Sequence, residues 1–260
     1  MSQRGFTLIE LVLTIVIGSI IMLGIAGYVQ VGMKGYVDAS SRQRIQTQAQ
    51  FVLEKMAREI RHAVPNSFDI KNSAEKSCLS FIPTLNSGYY FQEPTSDDLL
   101  FITGGDVPGG TLKASENIRF VINPTRFTDL VSDDLVSGAV SSYLIKNDLP
   151  LRTDDKNGNA NFYRFTPNQN MPLLSQSIAH RIYLYQLAKK VEYCIIKMGV
   201  NIDSLTRNSV VVENIKASES HFDYTNVSLQ TGGIVYLKFA FEQNGEVSTY
   251  QQDVQVLNVP

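Results

Sequence analysis

Glu10 is the side chain in this sequence that fits its surroundings least. It is the one charged residue between Phe6 and Val31, and from Leu11 to Ala26 the chain reads LVLTIVIGSIIMLGIA with no charge at all. About 20 apolar residues cross a bilayer core of roughly 30 Å, so the run is long enough to span one. Holding a carboxylate in or near hydrocarbon costs at least ~2 to 3 kcal/mol on insertion scales, and such a group is tolerated only when neutralised or paired. The chemistry open to Glu10 is therefore charge pairing, with a positive amine as the natural partner.

Other reactive groups are few and scattered. Two cysteines, Cys78 and Cys194, and three histidines, His62, His180 and His221, lack the close spacing that metal ligands require, so no metal site is expected. There is no Gly-x-Ser-x-Gly, no His-Glu-x-x-His and no Gly-Lys-Ser/Thr phosphate loop. The stretch from Gly104 to Gly110 lacks the lysine and the following helix of a phosphate loop and reads as a turn. Asp155, Asn157 and Gly158 match part of a calcium loop, but its first position is Thr153 and no closing glutamate follows, so a hairpin turn on Asn157-Gly158 is the better reading. Catalysis is not expected, nor is a cofactor.

Positioning elements can be read from periodicity. The apolar run predicts a helix, and from Asp38 an amphipathic pattern extends it: Ile45, Ala49, Val52, Met56, Ile60 and Ala63 recur every three or four residues until Pro65 stops the helix. Gly24, Gly27, Gly32 and Gly35 weaken it, and read equally well as sites of bending or of close packing in lipid. Arg42, Arg44, Lys55, Arg58 and Arg61 stand beside Glu54 and Glu59; a solvated, partly paired face is favoured over a contact with DNA or an acidic neighbour. With a net charge of -2 and a pI near 5.9, nothing suggests a nucleic-acid partner.

Beyond Pro65 short β-rich runs dominate, bounded by Gly, Pro, Asn or Asp: residues 78–82, 98–102, 118–122, 181–185, 191–196 and 234–239. The segment from Ser175 to Lys190 also admits a helix. A boundary between two β lobes is placed near residues 124–150, where the strand pattern weakens.

Arg4-Gly5 followed by Phe6-Thr7-Leu8-Ile9-Glu10 resembles the class III signal of type IV prepilins and pseudopilins. The resemblance implies that an inner-membrane prepilin peptidase cuts between Gly5 and Phe6 and methylates the new terminal amine of Phe6. It also implies an assembly role for Glu10, which would neutralise the terminal amine of a neighbouring subunit. The fold implied is α+β and pilin-like, a long N-terminal helix, transmembrane then amphipathic, packed on a β-rich C-terminal globular domain. Residues 1–5 would be the leader, 6–31 the membrane half of the helix, 32–64 its amphipathic half, and 65–260 a periplasmic head. Partners would be the prepilin peptidase and methyltransferase, other major and minor pilins, the inner-membrane assembly platform and the membrane itself. The protein would cross the inner membrane once before joining a pilus fibre at the cell surface.

More narrowly, Gln3–Glu10, Gly35-Tyr36-Val37-Asp38, Arg42-Gln43-Arg44 and Arg58–Ser67 resemble minor pilins of the mannose-sensitive haemagglutinin (MSHA) type IV pilus, with patches at Cys78–Pro83 and Val191–Cys194. A J-type minor pseudopilin of a type II secretion system has the same physics and stays open. So, more remotely, does a signal-anchored periplasmic enzyme or binding protein. An ordinary cleaved leader ending near Gly24-Ile25-Ala26 is opposed by Glu10, because such leaders keep charge out of the apolar region. In the periplasm that the resemblance implies, an even count of two cysteines reads as a Cys78–Cys194 disulfide, with two buried free thiols as the alternative.

Overall fold

The structure, a computed structural model, describes residues 7–96, 98–104, 110–131, 142–153, 161–166, 177–197, 203–225, 233–243 and 245–256. The chain divides into two compact units, Met1–Ala49 and Gln50–Pro260. Helix α1 (Leu8–Arg61) begins in the first and ends in the second.

In the first unit α1 is unbroken through Gly18, Gly24, Gly27, Gly32 and Gly35, and a Cβ built on any of them meets nothing within 4 Å. The unwinding that these glycines permit does not occur, and they pack on nothing among the described residues. The two hydroxyls of the apolar run bond within the helix: Thr14 Oγ1 donates to the Leu11 carbonyl at 2.9 Å and Ser19 Oγ to the Val16 carbonyl at 2.8 Å. A helix in hydrocarbon needs that self-sufficiency.

In the second unit the helix turns an apolar face inward, with Val52, Leu53, Met56, Ala57 and Ile60 buried. It ends at Arg61, four residues before the proline that was expected to stop it. The cause is a competing set of backbone bonds. Ala63 bridges Pro83, the Val64 N–H donates to the Ile82 carbonyl at 2.9 Å, and the Thr84 N–H donates to the His62 carbonyl at 2.9 Å. The buried Asn66, at φ 57°, then turns the chain in the left-handed region that asparagine tolerates.

Strands follow: β1 (Asp69–Asn72), β2 (Lys76–Phe81), β3 (Thr84–Gln92), β4 (Leu99–Thr103), β5 (Thr111–Leu112) and β6 (Arg119–Val121). After the short helix α2 (Thr128–Val131) come β7 (Ser142–Leu144), β8 (Leu149–Pro150), β9 (Arg152–Thr153) and β10 (Asn161–Phe165). The chain continues through β11 (Arg181–Tyr185), β12 (Val191–Ile196), β13 (Ser204–Arg207), β14 (Ser209–Glu213) and β15 (His221–Thr225). Two long strands, β16 (Ile234–Gln243) and β17 (Glu246–Gln255), complete the described elements.

They pair into a five-stranded sheet, β1-β2-β12-β13-β14; a seven-stranded sheet, β7-β6-β11-β3-β4-β10-β9; a three-stranded sheet, β15-β16-β17; and the pair β5-β8. Every pairing among the described strands is antiparallel, and the fold is α+β, a long N-terminal helix followed by a β-rich domain. The segment drawn as either helix or strand resolves into β11 followed by a single 3-10 turn at Leu187–Lys189. The described strands show no lobe boundary at residues 124–150, because β6 and β4 before that stretch pair with β11 and β10 after it. Residues 154–160, where the sequence favours a turn on Asn157-Gly158 over a partial calcium loop, lie outside the described residues. Most of the glycine-rich stretch, residues 105–109, lies outside them too.

Aromatic side chains fill the core of the seven-stranded sheet: Tyr90, Phe101, Phe120, Tyr143 and Tyr163 pack with Leu99, Ile182 and Leu184. The Phe120 and Tyr143 rings stack at 5.0 Å between centroids. A second cluster gathers Val64, Ile82, Val121, Leu130, Tyr183 and Tyr185. Gly88 is required where it stands, in a strand flanked on both sides, because a Cβ there would collide with the backbone carbonyl of Ile102.

Candidate functional site

Two features carry the sequence-derived chemistry, one in each unit. In the first, the Thr7 carbonyl accepts the Glu10 N–H at 3.1 Å and the Leu11 N–H at 3.3 Å, so Thr7 opens α1 and Glu10 lies in its first turn. Thr7 and Glu10 thus stand at the N-cap and N3 positions, the spacing of a Thr-x-x-Glu capping box, and the positive end of the helix dipole favours a carboxylate there. Glu10 is exposed, and so are the apolar residues that follow it: Leu8 is 83% accessible and Leu23 74%, and none of the membrane-length apolar window is buried. An apolar surface of that length, uncovered by its own chain, fits a helix anchored in a membrane. Gly5 and Phe6, the expected cleavage pair, lie outside the described residues.

Residues 1–26 match the prokaryotic N-terminal methylation motif. The motif supports a type IV pilin or pseudopilin, a structural and non-enzymatic class, and implies processing by a prepilin peptidase and assembly with other pilins. No curated protein and no solved structure matches the chain.

In the second unit Cys78 on β2 stands directly opposite Cys194 on β12, their Cα atoms 4.1 Å apart, and the two are joined as a disulfide across 116 residues of sequence. Register brings them together, since β2 and β12 pair without a slip from Val191↔Phe81 to Ile196↔Lys76. The Glu192 carboxylate approaches both sulfurs, but oxidised sulfurs offer no thiolate and the trio is no metal site in this state. Glu192 instead accepts from Ser80 Oγ at 2.9 Å. The three histidines fall on separate elements: His62 after α1, His180 before β11 and His221 on β15.

The structure adds a polar cluster that sequence reasoning missed. Glu59, in the last turns of α1, accepts through Oε2 from the Tyr193 hydroxyl at 3.0 Å and from Arg207 Nε at 3.0 Å. The Arg207 guanidinium also lies over the Tyr193 ring, 5.8 Å from its centroid. Burial, with the neighbouring Glu59 charge adding to it, pushes the Tyr193 hydroxyl well above the ordinary tyrosine range, so it stays a proton donor. The three residues are separated by 134 and 148 positions, and no spacing rule could have united them.

A second ion cluster pins β4 to β10. Arg164 Nη1 bonds Asp98 at 2.8 Å and Glu93 at 3.2 Å. Burial alone would raise the Asp98 carboxyl, but hydrogen bonds from Thr166, Arg164 and Ser96 and the Arg164 charge outweigh it and hold the group below its ordinary value.

Proposed function

We propose that this chain is a minor type IV pilin of an MSHA-type pilus, similar to the pilus biogenesis protein MshO. The prepilin peptidase removes residues 1–5, Phe6 becomes the N-methylated terminus, and residues 6–31 hold the protein in the inner membrane with residues 65–260 in the periplasm. From there it enters the fibre, at its start or tip, and supports pilus biogenesis and surface attachment. Its length of 260 residues suits a minor subunit better than the repeating one.

The observation that carries the reading is the methylation motif over residues 1–26, coupled to a first-turn Glu10 on a helix whose apolar face its own chain leaves bare. The same physics suits the J-type pseudopilin of a type II secretion system, which differs in the machine that it joins. Mass analysis of the mature amino terminus tests the class: methylated Phe6 is expected, and a terminus at Gly27 would show conventional signal cleavage and end the pilin assignment. Recovery of the protein from sheared pili, lost when the pilus assembly genes but not the secretion genes are deleted, separates pilin from pseudopilin.

A further inference from the structure

Beside the Glu59 cluster lies a cavity of about 300 Å³, lined by Arg58, Glu59, His62, Pro83, Val191 and Arg207, all within the second unit. Arg207 reaches it already oriented, its Nε–H engaged by Glu59 and its plane resting over Tyr193. A guanidinium carries five N–H donors in a rigid fork, and the contacts described for Arg207 use only Nε, which leaves its Nη donors for another acceptor. The side chain is 30% exposed, so that end is reachable. Arg58 stands at the rim, held among the described residues by a 3.7 Å contact to Glu54 in which both side chains are largely exposed (74% and 58%). Such a pair contributes little and gives way easily.

The mouth therefore has an excess of positive charge. Glu59 is already neutralised by Arg207 and bonded by Tyr193, while Arg58 adds a cation and the exposed His62 a further N–H donor. Pro83 and Val191 supply apolar wall. Cations over an apolar wall complement a carboxylate on a short aliphatic stem: the oxygens take the guanidinium fork and the methylenes take the wall. We infer that this cavity receives an aspartate or glutamate side chain of a neighbouring subunit in the assembled fibre, so that Arg207 is a docking residue as well as a tie within the fold. The inference rests on the assembly reading above.

The test uses the full-length protein in its own membranes and fibres. R58K carries an amine to the rim, and a carbodiimide condenses a carboxylate held against that amine into an amide, the elements of water ending in the urea by-product. The expected product joins residue 58 to an Asp or Glu of another subunit, identified by peptide mass. It should fall roughly tenfold when R207A is combined with R58K, the factor expected for loss of a charge-assisted bond. R58E, at an exposed position, should lower incorporation into fibres well below that of R58K. Three results would overturn the proposal: no product in fibres that contain the subunit, a product indifferent to R207A, or a product abolished by inorganic phosphate at constant ionic strength, which would make the occupant a free anion. Mass analysis of the amino terminus in the same samples separates failure of the site from failure of the assembly reading, since the latter shows as a terminus other than methylated Phe6.

Discussion

The Tyr193 hydroxyl donates to the Glu59 carboxylate across 3.0 Å, joining a central strand of the five-stranded sheet to the last turns of α1. The same oxygen accepts Arg207 from the adjacent strand, so three elements meet on one carboxylate atom. A hydrogen bond to a charged group contributes about 1.5 to 3 kcal/mol, more than most surface ion pairs.

Tyr193→Phe removes that bond while keeping the ring. It should destabilise the second unit by about 1.5 kcal/mol, a fall of roughly 3 to 6 °C in Tm for a domain of this size. Thermal unfolding of the purified protein measures it, and an unchanged Tm would show that the contact adds nothing.

Reduction of Cys78–Cys194 should loosen the five-stranded sheet. On the chain-entropy account a disulfide closing about 100 residues stabilises by up to about 4.7 kcal/mol, and native bridges give about 2 to 5. Cys78→Ser combined with Cys194→Ser should lower the denaturant midpoint accordingly. Peptide maps with and without reductant should differ at those two peptides alone.

Asp98 gives the pH dependence a sign. Its folded carboxyl titrates below its unfolded value, so the stabilisation is fully present above the unfolded pKa, about 3.9, and is lost as pH falls through the folded one. Asp98→Asn should therefore be less stable than wild type at pH 7, and the two stability curves should converge below about pH 4. Curves that stay parallel down to pH 2 would contradict the assignment.

Gly88→Ala places a methyl against the Ile102 backbone, which cannot swing aside as a side chain would. Overpacking typically costs about 1 to 3 kcal/mol, and the upper end is expected because β3 is hydrogen-bonded on both sides. Expression and unfolding of the variant provide the measurement.

Substitution can separate two roles open to Glu10, starting the helix and pairing with an amine. Gln satisfies the N3 position of a capping box as Glu does, but carries no charge for an amine. If Glu10 serves only to start the helix, Glu10→Gln should enter fibres like wild type. If it pairs with a neighbour's terminal amine, Glu10→Gln and Glu10→Val should both be processed and membrane-bound yet depleted in sheared fibres, with Glu10→Asp intermediate because its reach is shorter. Removing the carboxylate should not impair insertion, since it lowers the cost of entering hydrocarbon. The readout is subunit in fibres relative to subunit in membrane.

The amino-terminal motif and the helix were legible in the sequence because both are local. Charge-free length, the motif before it and a three-to-four-residue stripe are properties of consecutive residues, and the stripe's Val52, Met56, Ile60 and Ala63 are buried. Strands β2, β4, β6, β11, β12 and β16 were marked by dense β-branched and aromatic runs. Strand β17 was not, because Glu246-Val247-Ser248-Thr249-Tyr250-Gln251-Gln252-Asp253-Val254-Gln255 is largely polar and its pairing partner, rather than its own composition, makes it a strand. Pairing across sequence was decided by the tertiary structure alone. Sequence supplied two cysteines and a compartment argument, whereas the unslipped register of β2 on β12 sets Cys78 against Cys194. Nothing near Glu59 foretold Arg207, since an arginine 148 residues away becomes its partner only when β13 is laid beside β12 and β12 reaches the end of α1. Local free energies write the elements; long-range burial and register choose which side chains meet, and the Glu59, Tyr193 and Arg207 cluster lies in the second category.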